Sequence, residues 1–238
     1  MKIALIGYGK MGKTIESIAI ARGHSIISRL HSKSGKTDWN GISNADVAIE
    51  FSRPEVALEN FNKCLALNVP VVTGTTGWYN EMTKVKKLVL DANGAFFWAS
   101  NFSVGVNLFW HINKKLAELM NGHRDYKPSM IEIHHTQKLD EPSGTAITTA
   151  EQIIDANTQY TEWTLDEGNT IASDIYIKAI REGDVKGTHL VKYESDIDSI
   201  ELKHEAKSRD GFALGALLAA EFLLGKKGYY TMEDMLRI

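Results

Sequence analysis

The sequence is poor in cysteine and has no long apolar run. Its one cysteine, Cys64, cannot form an internal disulfide, and its neighbours Phe61 and Leu65 predict a buried thiol rather than a nucleophile. The most apolar stretch, 212–220, ends at Glu221, far short of the roughly 20 residues that a transmembrane helix needs. We therefore expect a cytoplasmic protein with no membrane partner.

The sequence also lacks a large excess of charge of either sign. The 238 residues include 27 basic and 30 acidic side chains, for a net charge of −3. Nucleic-acid-binding domains normally show a strong basic excess, so we expect no nucleic-acid partner. Apolar residues make up 43% of the chain, which is typical of a globular protein of one or two domains.

The first hundred residues alternate short apolar strands with amphipathic helices. The predicted strands are 3–6, 25–28, 46–51, 69–73 and 95–99. Such alternation indicates a parallel sheet covered on both faces. We therefore predict an α/β domain that resembles the Rossmann fold.

The second half has a different pattern. A helix is predicted over 104–120 and another over 145–154, with strands at 130–135, 174–180, 188–193 and 199–204. Apolar and polar residues alternate in several of these strands, which predicts an α+β domain whose sheet has one solvated face. We expect this sheet to be mixed. A closing helix, 211–224, is expected to pack on the first domain. The predicted limits are 1–103 with 209–238, and 104–208.

A glycine-rich motif follows the first predicted strand and opens the first helix. It reads Gly7-Tyr8-Gly9-Lys10-Met11-Gly12. In this position the glycines permit a tight turn and close approach of a pyrophosphate to the helix N-terminus. The pattern predicts dinucleotide binding, and the alternative is a glycine-rich turn that binds nothing.

The region after the second strand lacks the acidic residue that usually holds the ribose of NAD. It contains Arg29 and Lys33, and the first carboxylate is Asp38. The cations could bind the 2′-phosphate of NADPH, or they could be solvated loop residues.

Two more loops follow later strands of the first domain. They are Gly74-Thr75-Thr76-Gly77 and Ser100-Asn101-Phe102-Ser103. Ligands bind at the carboxyl ends of strands in open α/β sheets, so both loops are candidates for contact with a cofactor. Each could also be an ordinary turn.

The stretch from Glu132 to Thr145 contains most of the candidate chemistry. His134 and His135 are adjacent and Lys138 follows, so a proton donor and an ammonium lie close together. Ser143 is predicted to cap the helix after it, which leaves the N–H groups of Gly144 and Thr145 for an anion. The alternative is a histidine-containing strand and a capped helix without a ligand. Adjacent strand residues point to opposite sides, so we expect no metal site.

These motifs together resemble the dihydrodipicolinate reductase family. The family's most specific signature matches 132–146, and further similarity covers 51–54, 101–107, 181–185, 187–189 and 208–209. The resemblance implies a reductase that transfers hydride from NAD(P)H to a cyclic imine dicarboxylate on the diaminopimelate route to lysine. It also implies a homotetramer assembled through the sheet of the substrate domain.

The resemblance assigns roles to individual residues. His134 would be the general acid, Lys138 would bind and polarise a substrate carboxylate, and His135 would support substrate binding. Gly144 and Thr145 would hold a carboxylate through their N–H groups. The cofactor would contact the glycine-rich turn (7–12), Gly74, Thr75, Thr76, Ser100, Asn101 and Phe102.

Two departures from the family pattern affect these expectations. Ser52 replaces a common threonine but keeps the hydroxyl, whereas the missing carboxylate after the second strand favours NADPH through Arg29, with NADH as the second choice. The rival functions are another small dehydrogenase, acting on aspartate or homoserine, and a redox-sensing binding protein without catalysis. The intact His134 and Lys138 disfavour the latter.

Overall fold

A computed structural model describes residues 1–31, 39 and 41–238. The chain forms two compact units, one of Met1–Val104 with Asp210–Ile238 and the other of Gly105–Arg209. Lys33 and Asp38, which bear on the predicted cofactor choice, lie outside the described residues. Within the described residues, no helix combines the length and apolar character needed to cross a membrane.

The first unit is built on a six-stranded parallel sheet in the order β11-β5-β4-β3-β1-β2. The strands are β1 (Lys2–Ile6), β2 (Ser25–Leu30), β3 (Val47–Glu50), β4 (Val71–Thr73), β5 (Ala95–Trp98) and β11 (Gly228–Tyr230). The helices are α1 (Lys10–Ala21), α2 (Pro54–Ala66), α3 (Met82–Asp91), α6 (Asp210–Leu223) and α7 (Met232–Leu236).

Alternate residues of β1 enter two separate hydrophobic cores. Ile3 and Leu5 pack in one core with residues of α1 and α6. Ala4 and Ile6 pack in the other with residues of α2 and α3. Because successive strand side chains point to opposite faces, both faces of the sheet are covered. The predicted α/β fold is confirmed.

Cys64 on α2 lies in the second of these cores and is fully buried. Burial, with a smaller contribution from the Glu50 carboxylate, raises the pKa of the thiol to about 12. The thiol is therefore protonated at neutral pH, as a structural cysteine would be.

The second unit contains a five-stranded mixed sheet in the order β10-β9-β6-β8-β7. Its strands are β6 (Lys127–His134), β7 (Glu162–Thr164), β8 (Asp174–Arg181), β9 (Thr188–Glu194) and β10 (Ser199–Glu205). Its helices are α5 (Gly144–Ala156) and most of α4 (Val104–Met120). The predicted mixed sheet is confirmed, since β6 runs parallel to β8 and antiparallel to β9.

One face of this second sheet packs against helices and the other is half exposed. Met130, Ile177 and Val191 lie in a core shared with residues of α4 and α5. Ile131 and Leu190, on the opposite face, remain only partly buried. The even-numbered residues of β6 therefore face the core, and this series continues to Glu132 and His134 at the strand end.

Candidate active site

The turn between β1 and α1 requires glycine for steric reasons. Gly7 has a φ of +88°, and a Cβ atom on it would lie 2.1 Å from the carbonyl oxygen of Phe51. The N–H groups of Gly7 and Tyr8 both donate to the carbonyl oxygen of Leu30 over 3.0 Å. The turn is thus tied to the ends of β2 and β3.

The N-terminus of α1 is open to an anion. Its N-cap residue, Gly9, has no side chain to pair with the amides of the first turn. A Cβ atom on Gly9 would meet no heavy atom within 4 Å. Free amides and the helix dipole favour a phosphate at such a place. The predicted set Gly7, Tyr8, Gly9, Lys10, Met11 and Gly12 therefore fits a dinucleotide pyrophosphate.

Arg29, at the end of β2, pairs with a carboxylate from α1. Its Nε atom lies 2.9 Å from Glu16 Oε1, and the Tyr8 hydroxyl also donates to Glu16. Hydrogen bonds from Arg29 and Tyr8 lower the pKa of the Glu16 carboxyl. The sequence showed no carboxylate directly after β2, and the structure supplies one from the neighbouring helix. The Arg29 side chain remains 41% exposed.

The loops after β3 and β4 meet at the same edge of the sheet. The Ser52 N–H donates to Thr75 Oγ1 over 2.8 Å, and a Cβ atom on Gly74 would lie 2.2 Å from the Phe51 ring. Thr75 is buried, whereas Thr76 is exposed. Of the two threonines, only Thr76 therefore offers its side chain to solvent.

A buried carboxylate, Glu50, fixes these two loops. It is fully buried and accepts hydrogen bonds from Thr73 Oγ1 over 2.7 Å and from Asn60 Nδ2 over 3.3 Å. The Ser52 backbone N–H (3.2 Å) and its hydroxyl donate to the same carboxylate. Sequence reasoning missed Glu50 because it ends an apolar strand and belongs to no motif.

The loop after β5 offers backbone rather than an aromatic side chain. Phe102 is 3% exposed, and its ring centre lies 5.7 Å from that of Phe51 and 5.9 Å from that of Phe97. Asn101 Oδ1 accepts from the Ser103 N–H over 2.9 Å, and Ser100 is exposed. The Phe102 ring thus belongs to the core, and its carbonyl group packs closely on Gly215 of α6, where a Cβ atom would lie 1.7 Å from the oxygen.

In the second unit, a glutamate and two histidines lie together on the buried face of the sheet. His189 on β9 is the residue directly opposite Glu132 on β6. His134 Nδ1 lies 3.1 Å from Glu132 Oε2, and the ring centres of His134 and His189 are 5.2 Å apart. Burial, helped by the charge of His134, lowers the pKa of His189 to about 3. His189 is therefore neutral.

Arg181 on β8 connects this glutamate to the loop after β6. Its Nη2 atom donates to Glu132 Oε1 over 3.0 Å and to the Asp140 carbonyl oxygen over 2.6 Å. The Ser143 N–H donates to the same Glu132 Oε1 over 3.1 Å. Burial acts to raise the pKa of Glu132, but hydrogen bonds from His134, Ser143 and Arg181 outweigh it and lower the pKa to about 2. Glu132 is therefore ionised.

The loop after β6 carries two more cationic or titratable side chains. Lys138 Nζ lies 2.7 and 2.6 Å from the two carboxylate oxygens of Asp140. His135 Nε2 lies 3.0 Å from Arg209 Nη2. The predicted substrate residues Lys138 and His135 thus each have a charged neighbour that sequence reasoning did not assign to the site.

The N-terminus of α5 has the predicted cap. Ser143 Oγ accepts from the Ala146 N–H over 3.2 Å, and the helix begins at Gly144. A Cβ atom on Gly144 would meet no heavy atom within 4 Å. Open space therefore lies beside Gly144 at the start of the helix, where an anion would be favoured.

The cluster of Glu132, His134 and His189 also has the donor atoms of a cation site. One ligand atom of each residue lies within 4.8 Å of the other two, and zinc enzymes use two histidines with a glutamate. Arg181 and the Ser143 amide already bind Glu132, so its charge is compensated without a metal. The absence of a metal stays a prediction.

The sequence matches both parts of one enzyme family. The N-terminus of dihydrodipicolinate reductase matches residues 1–102, and its C-terminus matches residues 105–236. The 4-hydroxy-tetrahydrodipicolinate reductase of Christiangramia forsetii is 50% identical over 236 residues, which cover 99% of this chain and 98% of that protein. The protein of the same name from Akkermansia muciniphila is 36% identical and covers 96% and 94%.

A solved structure shares the fold. It is described as dipicolinate-bound dihydrodipicolinate reductase from Paenisporosarcina sp. TG-14, and the match covers 98% of each chain with a TM-score of 0.79 and 23% identity. At that identity, the likeness concerns the fold, whereas the sequence matches concern the family. With both parts of the family matched in order along its length, the chain belongs to the dihydrodipicolinate reductase family.

Proposed function

We propose that this chain is a 4-hydroxy-tetrahydrodipicolinate reductase. It transfers hydride from NAD(P)H to a cyclic imine dicarboxylate and forms tetrahydrodipicolinate on the diaminopimelate route to lysine. The observation that supports this most directly is the grouping around Glu132. That carboxylate contacts the proton donor His134, and it also contacts the amide of Ser143 that begins the anion-binding end of α5.

The first unit, Met1–Val104 with Asp210–Ile238, would bind the cofactor. The pyrophosphate would lie at the N-terminus of α1, and Gly74, Thr75, Thr76 and the 100–102 loop would contact the nicotinamide half. A cavity of about 180 Å³ beside Gly7 supports this assignment. Its lining includes Arg53, together with Lys63 and its ion-pair partner Glu59, and a guanidinium suits a phosphorylated ribose. When bound, the nicotinamide supplies the hydride.

NADPH would be preferred over NADH. Arg29 places a guanidinium at the end of β2, where the ribose of a dinucleotide binds in doubly wound folds. The nearby Glu16 carboxylate already accepts hydrogen bonds from Arg29 and Tyr8. It is therefore less free to accept hydrogen bonds from the ribose hydroxyls of NADH.

The second unit, Gly105–Arg209, would bind the substrate dicarboxylate. Lys138 would bind and polarise one carboxylate, and the N–H groups of Gly144 and Thr145 would hold a carboxylate at the start of α5. His135 would support binding, with the Arg209 guanidinium beside it. His134 would donate the proton that accompanies the hydride, after the 4-hydroxy ring has lost water.

The protein would assemble as a homotetramer through the half-exposed face of the second sheet. That face presents Ile131, Ile133, Ile180 and Leu190, which remain only partly buried within one chain. Contact with other copies would remove this apolar area from water. Sedimentation equilibrium tests the assembly. The expected cytoplasmic location stays a prediction.

A coupled assay tests the activity itself. Dihydrodipicolinate synthase generates the unstable substrate in place, and the absorbance of NADPH reports its oxidation by the protein. We expect oxidation only when both substrate and protein are present. Binding of NADPH without oxidation would indicate the redox-sensing alternative, and oxidation that depends on aspartate or homoserine chemistry would indicate a different small dehydrogenase.

A further inference from the structure

We infer that Glu132 is a positioning residue that aligns both parts of the substrate site at once. One carboxylate oxygen lies 3.1 Å from His134 Nδ1, and the other accepts a hydrogen bond from the Ser143 N–H at the N-terminus of α5. The inference rests on the proposed function, in which His134 donates a proton and α5 binds a substrate carboxylate.

The two oxygens of Glu132 have separate partners. Oε1 accepts from the Ser143 N–H over 3.1 Å and from Arg181 Nη2 over 3.0 Å. Oε2 lies 3.1 Å from His134 Nδ1. Because the carboxylate is planar and rigid, fixing one oxygen fixes the direction in which the other points. The anchor on α5 therefore also sets the position of Oε2 beside the imidazole.

The charge of Glu132 is preserved in a fully buried position. Arg181, whose side chain is 15% exposed, compensates it directly. His189 packs edge to face on His134, and as a neutral ring it adds no competing positive charge. An ionised carboxylate beside Nδ1 favours a proton on that nitrogen.

A proton on Nδ1 has a chemical consequence for His134. The neutral ring then has its lone pair on Nε2, so Nε2 has a proton to give only when the ring is the imidazolium. The imidazolium is a far stronger acid than a neutral imidazole. Gly187 leaves room at this atom, since a Cβ atom on it would lie 3.1 Å from Nε2.

The second consequence concerns the carboxylate-binding helix end. Ser143 caps α5 through its hydroxyl, and its own N–H is held by Glu132. The next two N–H groups, of Gly144 and Thr145, therefore have their direction set from within the sheet. Glu132 would not touch the substrate itself. It would act on proton donation through His134 and on carboxylate binding through Ser143.

Substitution separates the two tasks. Glu132→Gln keeps an oxygen for Ser143 and Arg181 but turns an NH₂ group toward Nδ1. We expect kcat to fall by about 10- to 100-fold, part of the range for loss of a general acid, while the substrate KM stays within about threefold. Glu132→Ala removes both contacts and should also raise KM. Glu151→Gln, on the exposed side of α5, is the matched control and should change neither parameter.

A measurement on the unmodified protein does not depend on whether the variants fold. Nitrogen-15 NMR of the histidine rings at alkaline pH gives the tautomer of neutral His134, whose signals are assigned by their loss in His134→Gln. We expect the proton on Nδ1. A proton on Nε2, or an unchanged kcat in folded Glu132→Gln, would overturn the inference. Failure of the proposed function would be a different result, namely an unmodified protein without reductase activity.

Discussion

Glu16 on α1 and Arg29 at the end of β2 form an ion pair, with 2.9 Å between Arg29 Nε and Glu16 Oε1. They are 13 residues apart in the chain and meet because the turn over 22–24 brings β2 back alongside α1. At this place in a doubly wound fold, the local charge decides between a ribose hydroxyl and a 2′-phosphate. The Arg29 guanidinium attracts a 2′-phosphate, whereas the Glu16 carboxylate repels it. Substitution of the one should therefore favour NADH and substitution of the other NADPH.

We expect kcat/KM for NADPH to exceed that for NADH by about tenfold at low salt, because a charge-assisted contact contributes about 1.5–3 kcal/mol and exposure favours the lower end. Raising the salt concentration should lower this preference for NADPH, because salt screens the contact between charges. Arg29→Ala should reduce it and Glu16→Gln should increase it. Lys33→Ala should have a smaller effect than Arg29→Ala, since an ammonium cannot form a bidentate contact.

The matched control for this prediction is Arg22→Ala. Arg22 also pairs with a glutamate, Glu221, in the first unit, but at the opposite end of α1. A steady-state preference for NADH, or a ratio that is indifferent to Arg29, would contradict the assignment of the 2′-phosphate to this pair.

Gly7 and Gly9 should differ in what alanine does to them. A Cβ atom on Gly7 would overlap the Phe51 carbonyl, so Gly7→Ala should destabilise the fold by at least about 2 kcal/mol. Gly9 has open space around it, so Gly9→Ala should fold normally but obstruct the pyrophosphate. Urea unfolding and fluorescence titration with NADPH separate the two effects. Equal unfolding midpoints for the two variants would argue against this geometry.

His134→Gln should lower kcat by about 10²- to 10⁴-fold, the usual effect of losing a general acid. The affinity for NADPH should barely change, because His134 lies in the other unit. Stopped-flow kinetics and a cofactor titration measure these quantities. The control is His123→Gln, at an exposed position after α4. Full turnover in His134→Gln would remove this residue from the mechanism.

Lys138→Ala should weaken substrate binding as well as turnover. It leaves a substrate carboxylate without its charged partner, which costs about 1.5–3 kcal/mol, or roughly 10- to 150-fold in KM. Lys115→Ala, an exposed lysine on α4, is the control. Steady-state kinetics with varied substrate distinguish the outcomes, and an unchanged KM would be evidence against a carboxylate contact.

Acid should destabilise the protein through His189. Its pKa is about 3 in the folded state and about 6.5 when unfolded, so between these values the unfolded chain binds the extra proton. The free energy of unfolding therefore falls as pH falls below 6.5, by roughly 2–3 kcal/mol at pH 4.5. Above pH 6.5 the imidazole is neutral in both the folded and the unfolded chain, so His189 causes no loss of stability there.

Urea unfolding at pH 7.5 and pH 4.5 measures the effect. His189→Gln should lose less stability between these two pH values than the unmodified protein. Glu132, with its pKa of about 2, contributes stability that is present above about pH 4.5 and is lost below it. That loss therefore lies below the pH range of this comparison. Identical losses would mean that His189 is not buried in its neutral form.

Features set by neighbouring residues were predictable from the sequence. The turn at Gly7, the cap at Ser143 and the strand–helix alternation all depend on contacts within a few positions. The weak points were short elements: β7 and β11 have three residues each, too few for an alternating pattern to show. α7 has five residues and was missed, although Thr231 and Asp234 form its capping box.

The relationships between distant positions were not predictable. Glu132 receives Arg181 from 49 residues along the chain and faces His189 through strand register. Strand pairing, which places such residues side by side, is specified by the whole sheet rather than by a local motif. Glu16 was not predictable for a related reason. It lies on α1, before β2 in the chain, whereas the carboxylate that holds the ribose of NAD usually follows the second strand.

The buried position of Cys64 allows local opening of the first unit to be measured through the reactivity of its thiol. The thiolate is the reactive form of cysteine, and a thiol with a pKa of about 12 inside a packed core reacts only after the core opens. Cys64 is the only cysteine in the sequence. The rate of thiol labelling therefore reports how often the core of the first unit opens, and the second unit contributes no signal. A dinucleotide that binds this unit should slow the labelling, and its affinity could be determined without any substrate.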